Sequence, residues 1–318
     1  MNRDDILTVI IPVRNGGDYL GRCIESLTNQ SLKKLKILVI DDCSNDNTVE
    51  IASSYAEKNP QISVVCHSMN LGTGSARNTG LNLATSPYVA FLDADDWIDT
   101  NAYSEMISAL EKTNSDVAIC GIKTEYTSIT ESTVRYSYPY KNELSARFAL
   151  RLLCRCEMQD VFISPMVGNK VFRRSLLQEE NLLFPKRSYY EDDEFSFKVF
   201  ASSNKVVLVP NVFQHYFQRE GSAMHSFSEE VINQMFSAFR SIRTFLDDAG
   251  TWKALEQDYY SFLDKCLSSL LDTMFSCVQN VSAQRKYIST ILKQLLNDYT
   301  IEELIANIEP SRLQRLWK

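Results

Sequence analysis

The chain has 318 residues, 44% hydrophobic and 23% charged, and its 33 basic against 40 acidic side chains leave a net charge of −7. That length supports one large domain with an appendage, and the acidic balance argues against a nucleic-acid partner, which selects clustered Lys and Arg. No apolar stretch reaches the ~20 residues that a bilayer span needs, the apolar run in "MNRDDILTVIIPVRN" is too short for a secretory signal, and the eight scattered cysteines form no CxxC pair, so a cytoplasmic protein with reduced thiols is expected.

The first 120 residues alternate between two hydrophobic periods. "ILTVIIPV" is a β-branched run without polar interruption and predicts a buried strand. "DYLGRCIESLTNQ" then places Tyr19, Leu20, Cys23, Ile24 and Leu27 at helical spacing. "LKILVID" predicts the second strand and "DNTVEIASSYAEKN" the second helix, with Asp46 as its N-cap. "ISVVCHS" predicts a third strand, followed by a helix from about Ser75 to Ala84. "YVAFLD" is the fourth strand; a helix near Ala102 to Glu111 and "SDVAICGIKT" as a fifth strand come next. Residues 124–143 predict a hairpin or loop. Weaker strand signals in "VFISPMVGNKVF" and "KVVLVPNVFQHYF" make the later sheet mixed. From about Ser228 three apolar stripes predict packed helices: Val231 to Leu246, Phe262 to Phe275, and Ile288 to Leu296. The expected fold is therefore α/β: a Rossmann-like, mostly parallel sheet flanked by helices over residues 1–227, followed by a helical region over 228–318.

In such sheets ligands bind beyond the carboxyl ends of the strands. Those ends read "PVRNGG", "IDDCSNDNT", "HSMNLGTGSARNTG" and "LDADD". Asp93, Asp95 and Asp96 crowd like charge after a buried strand, and hard oxygen donors without His or Cys favour Mg²⁺ or Mn²⁺ over zinc. "LGTGSARNTG" lacks the spacing of a dinucleotide fingerprint, but its backbone N–H groups suit a phosphate, and Arg77 adds a cationic fork. Glu191, Asp192, Asp193 and Glu194 lie on the first turn of a helix, where the dipole favours acids; a carboxylate in excess of capping needs suits a general base.

Seven segments in order, "VIIPVRN", "VIDDCSNDNT", "NLGTGSARNTGL", "YVAFLDADDW", "GNKVFRRSLL", "YYEDDEFSFKVF" and "HYFQREGSAM", resemble the family-2 inverting glycosyltransferases with the GT-A fold over about residues 6–225. The resemblance implies a UDP-sugar donor and a saccharide acceptor, lipid-linked or protein-linked among the options, in cell-surface or exopolysaccharide synthesis. It implies a nucleotide pocket at Pro12, Val13, Asn15, Asp42, Arg77, Asp93 and Ala94, with Asp42 reading the uracil ring. It implies metal binding by Asp95 with Asp93 and Asp96, and Asp192 as the catalytic base. Arg219 and Ser222 match a segment that closes over the diphosphate, with His215 beside them. Glu191 is assigned to the acceptor side; Lys170, in "GNKVF", suits either the acceptor side or a structural role, and the sequence does not decide between them. Arg14 stands where the family has an aromatic, and Cys43 where it more often has Gly.

The helical region lies beyond the resemblance. Packing on the catalytic domain, shaping the acceptor side and homo-oligomer formation are its candidate roles. "SRLQRLWK" interleaves Leu313, Leu316 and Trp317 with Arg312, Arg315 and Lys318, a pattern that suits an interfacial helix at the inner face of a membrane as well as a polar tail. Two alternatives to a transferase stay open: a sugar-nucleotide nucleotidyltransferase, although "PVRNGGDYLG" lacks that class's Gly-, Arg- and Lys-containing loop, and a non-catalytic nucleotide-sugar-binding protein.

Overall fold

A computed structural model of the chain describes residues 5–126, 132–138, 142–154, 161–186, 189–218 and 227–317. The chain divides into two compact units, residues 1–149 with 164–219, and residues 150–163 with 220–318. In the first, every residue of β1 (Leu7–Val13) is buried, as its uninterrupted apolar run requires of a central strand. The helix α1 (Gly17–Thr28) buries Leu20, Cys23, Ile24 and Leu27. There follow β2 (Leu35–Asp41), α2 (Thr48–Lys58), β3 (Ile62–Cys66), α3 (Thr73–Leu83), β4 (Tyr88–Phe91), a two-residue β5 (Trp97–Ile98) and α4 (Ala102–Thr113). The α3 helix lies close on β1 because Gly80 has no side chain: a Cβ there would meet Ile10 Cγ2 at 2.4 Å.

Strands β1 to β4 pair in parallel, in the order β3-β2-β1-β4. Their carboxyl ends therefore meet at one edge. Beyond them the sheet becomes mixed. The expected fifth strand, β6 (Val117–Tyr126), does not sit beside β4. The four-residue β9 (Lys170–Arg173) lies between them and is antiparallel to both. The hairpin expected near 124–143 is formed by β6 with β7 (Thr133–Tyr136), and β8 (Asn142–Ser145) pairs with the last strand. After α5 (Ala146–Leu153), α6 (Arg174–Glu179) and α7 (Glu191–Ser202), the long β10 (Lys205–Gln218) runs parallel to β6, with a register irregularity between Leu208 and Gln214.

In the second unit, α8 (Glu229–Asp248) and α9 (Trp252–Cys277) bury the first two expected stripes almost completely. The third, on α10 (Val281–Asp298), is buried only at Ile291 and Leu295, and Leu296 is 55% exposed. The α11 helix (Ile301–Asn307) opens with a capping box between Thr300 and Glu303. The terminal α12 (Pro310–Trp317) buries Leu313 and Leu316, and Arg312 and Arg315 pair with Asp264 and Asp272 of α9 at 3.0 and 2.8 Å. These four side chains are engaged within the second unit rather than displayed on a free face. No helix among the described residues is long and apolar enough to cross a membrane. The seven described cysteines are free thiols; Cys156 lies outside the described residues.

Candidate active site

The strand ends supply the first groups. Pro12 and Val13 are buried at the end of β1. Asn15 takes a left-handed conformation at φ 51° and clips two loops together: its N–H donates to Ser44 Oγ at 2.9 Å, and its Oδ1 accepts from the Asn45 N–H at 2.9 Å. Cys43, where glycine was the more usual residue, keeps a glycine-like φ of 61°, so the turn survives at the cost of local strain.

Asp42 is buried and already fully engaged. Its Oδ1 accepts from the Leu71 N–H at 2.8 Å and bonds His67 Nδ1 at 2.7 Å, while Oδ2 accepts from the Gly72 N–H at 2.7 Å. These bonds hold the loop before α3 onto β2. Its neighbour Asp41 is as deeply buried, and its Oδ2 accepts from the Ser44 N–H at 3.0 Å. Asp41 Oδ1 has no hydrogen-bond partner among the described residues. An unfilled buried acceptor is costly unless a ligand completes it. The sequence pointed to the second acid of "IDDCS"; the open acceptor belongs to the first.

Arg77, on α3, is the centre of the site. Its guanidinium is almost wholly buried over the ring of Phe184, 5.1 Å from the centroid. Nη2 donates to Asp93 Oδ1 at 2.9 Å and Nη1 to Asp192 Oδ1 at 2.8 Å, with Glu191 Oε1 at 3.5 Å. Burial opposes the arginine's charge, but Asp192, Asp93 and Glu191 more than offset it and raise its pKa. Burial also pushes Asp192 up to about 7 although Arg77 pulls it down, and it raises Glu191 in the same way. Asp192 Oδ2 accepts a long hydrogen bond of 3.3 Å from the Val167 N–H. The helix start that presents both acids is set by Tyr190, held at φ 61°.

The loop after β4 carries the other acids. Ala94 is buried, while Asp93 and Asp95 are partly exposed. Outside this loop, Arg22 donates to the Asp95 carbonyl at 2.9 Å and stacks on Trp97, 3.8 Å from the ring centroid. Asp96 is different: it is 1% exposed, with Oδ1 accepting from the Phe217 N–H at 2.9 Å and Oδ2 from Gln214 Nε2 at 2.8 Å. Burial, and then the charges of Asp93 and Asp95, hold its pKa well above the usual carboxylate range. Among the described residues no three His, Cys, Asp or Glu side chains cluster at metal-binding spacing. The two partly exposed carboxylates fit a hard divalent ion that takes one or two protein oxygens and completes its shell elsewhere; Asp96, with both oxygens bonded inward, does not fit the role of ligand given to it from sequence.

The remaining expected residues fare differently. His215 does not face an open space: Nδ1 lies 2.7 Å from Glu125 Oε1, Nε2 lies 2.9 Å from Asp99 Oδ1, and the ring stacks on Trp97. Lys170 is 1% exposed and donates to the carbonyls of Ser164 and Met166 and to Asn169 Oδ1, so it braces the segment leading to Val167 and has no open path to an acceptor. Arg219 and Ser222 lie outside the described residues. Phe184, missed in sequence, has no signal beyond being one of 16 phenylalanines.

The signature of glycosyl transferase family 2 matches residues 8–179. A Bacillus subtilis protein named as a glycosyltransferase, EpsH, is 25% identical over 266 residues, which cover 81% of this chain and 74% of EpsH. The uncharacterized glycosyltransferase YibD of Escherichia coli is 43% identical over 120 residues, covering 38% of this chain, and the match spans only 35% of YibD. The crystal structure of S. aureus TarS 1-349 in complex with UDP-GlcNAc superposes with a TM-score of 0.74 at 23% identity, covering 95% of this chain and 84% of that one. At that identity the likeness concerns the fold, which is the GT-A sheet and helices followed by a helical region.

Proposed function

The chain belongs to glycosyl transferase family 2, and from that premise we propose that it is a divalent-metal-dependent, inverting transferase. It moves a sugar from a UDP-sugar to a hydroxyl of a saccharide acceptor in cell-surface or exopolysaccharide synthesis. The catalytic part is assigned to residues 1–227. The observation that carries the reading is Arg77, whose one guanidinium joins Asp93 of the strand-end loop to Asp192 of the helix start. The loop assigned to the donor and the residue assigned as base are thereby tied to one cation.

An acceptor hydroxyl is a poor nucleophile until its proton is removed. Asp192 accepts that proton: a base with a pKa of about 7 is deprotonated in a useful fraction near neutrality and still strong enough to pull. Attack from the side of Asp192 opposite the leaving diphosphate inverts the anomeric carbon in one displacement, with no covalent intermediate. Arg77, buried and bonded to both carboxylates, fixes the position of Asp192 relative to the Asp93 loop. Asp95, with Asp93, would hold Mn²⁺ or Mg²⁺, which when bound supplies Lewis-acid stabilisation of the departing diphosphate. Asp41, whose buried Oδ1 has no partner among the described residues, is assigned the uracil ring N–H in place of the fully bonded Asp42. The UDP-GlcNAc held by TarS supports a uridine nucleotide as donor.

A radiolabelled UDP-sugar incubated with saccharide acceptors tests the reading. Label recovered in the acceptor supports it; pyrophosphate released from a nucleoside triphosphate instead would make the protein a nucleotidyltransferase.

A further inference from the structure

Gln214 lies at the meeting point of the two halves of the site. It is fully buried on β10, directly after the register irregularity that interrupts the pairing of β10 with β6. Bulges of this kind re-aim side chains next to active sites. On one side its Nε2 donates to Asp96 Oδ2 at 2.8 Å, and Asp96 Oδ1 accepts from the Phe217 N–H at 2.9 Å. Asp96 is thus bonded twice to β10 and is the residue after Asp95. On the other side the amide packs on Gly168, where a Cβ would come within 2.4 Å of Nε2. Gly168 follows Val167, whose N–H donates to Asp192. The same segment is gripped from beneath by Lys170 through the carbonyls of Ser164 and Met166.

We propose that Asp96 and Gln214 are a pair of positioning residues that fixes the Asp93–Asp95 loop and the Val167–Gly168 segment in register, so that cation and base are set together. The proposal rests on the reading of the site as a metal-assisted transferase. In it Asp96 acts through geometry and not as a ligand. One further observation makes this testable: Gln214 Oε1 is buried with no hydrogen-bond partner among the described residues. If Asp96 becomes Asn, its Oδ1 still accepts from Phe217, and a turn of the Gln214 amide brings Oε1 to the new Nδ2 donor. One unpartnered buried atom is exchanged for another and the strut survives. Asp96→Ala and Gln214→Leu have no such repair.

The test is a titration of Mn²⁺ into the full chain with UDP, read from the loss of the free Mn²⁺ resonance, with UDP alone as blank and thermal melting of each variant alongside. Asp96→Ala and Gln214→Leu are expected to weaken Mn²⁺ about 10-fold or more, as loss of outer hydrogen-bond partners does elsewhere, while Asp96→Asn stays within about 3-fold of the parent. Gln214→Leu is also expected to move the pH limb of donor turnover that belongs to Asp192; a limb that stays in place while only melting changes would reduce Gln214 to a packing residue and overturn the pairing. Asp96→Asn losing as much Mn²⁺ affinity as Asp96→Ala would make Asp96 a direct ligand and overturn it as well. So would parental Mn²⁺ affinity in both Asp96→Ala and Gln214→Leu. Should Asp96→Ala not fold, a large loss in Asp96→Asn against the parent decides in the same sense. A parent chain that binds no Mn²⁺ fails at an earlier step, in the transferase reading itself.

Discussion

Asp93 and Asp192, far apart in sequence, share the two ends of the Arg77 guanidinium at 2.9 and 2.8 Å. One belongs to the loop that follows a parallel strand, the other to the first turn of α7, and a single buried arginine makes them parts of one electrostatic unit. Loss of any member of this unit has a distinct signature.

Asp192→Asn removes the proton acceptor while keeping the shape of the side chain. Sugar transfer is expected to fall about 100-fold or more, with little change in the affinity for UDP. Steady-state kinetics beside a UDP binding isotherm measure both. An Asp192→Asn enzyme with parental turnover would remove Asp192 from the chemistry.

The pH dependence follows from the same carboxyl. Burial pushes Asp192 up to about 7 against the pull of Arg77, and only the deprotonated form accepts a proton. Transfer should rise with pH through about 7 and level above it. The group also binds its proton more tightly in the folded chain than in the unfolded one, so its contribution to stability declines as pH rises from the ordinary aspartate value of 3.8 to about 7. Initial rates and melting temperatures across that window check both slopes.

Arg77→Met takes away the group that draws the Asp192 pKa down, and the acid limb of the rate profile should move to higher pH. It also takes the cation from three carboxylates, Asp93, Asp192 and Glu191. Breaking a fully buried pair costs about 3–5 kcal/mol, and the loss here should be nearer 2 kcal/mol because solvent screens the exposed part of Asp93; 41% of that side chain is exposed. Urea unfolding of the variant gives the number.

Asp41 and Asp42 separate by their hydrogen bonds. Asp41→Asn puts a donor or a poorer acceptor at the open Oδ1 position, and UDP affinity should drop about 10-fold, the effect of roughly one charge-assisted hydrogen bond. Asp42→Asn sets an amide donor against the backbone donors of Leu71 or Gly72 and should cost about 1–3 kcal/mol of stability. Calorimetry with UDP and thermal melting distinguish the two; equal loss of UDP affinity in both would return the ring contact to Asp42.

Much of this architecture can be read from the chain alone. Strands β1 to β4 are short, mostly apolar runs, and their alternation with helices implies a parallel sheet and hence the shared edge that Asp41 and Asp93 follow. What is hidden depends on long-range pairing. The four-residue β9 has no periodicity long enough to reveal that it runs antiparallel between β4 and β6. The difference between Asp41 and Asp42, adjacent and chemically identical, is decided by which one the Leu71–Gly72 backbone and His67 reach. Lys170 could be read as an acceptor-side cation or as a structural one, and the choice falls to the second because its partners are backbone carbonyls that leave no mark in a sequence. Asp96 is grouped with Asp93 and Asp95 by spacing, and only the approach of β10 turns it inward.

The central claim, a cation-assisted UDP-sugar transferase, is met most directly by a panel of UDP-sugars followed for release of UDP, in EDTA and after addition of Mn²⁺. The account predicts that at least one UDP-sugar is consumed, that EDTA stops the reaction and that Mn²⁺ restores it. Turnover indifferent to EDTA, or no turnover of any UDP-sugar with Mn²⁺ and acceptor present, would contradict it.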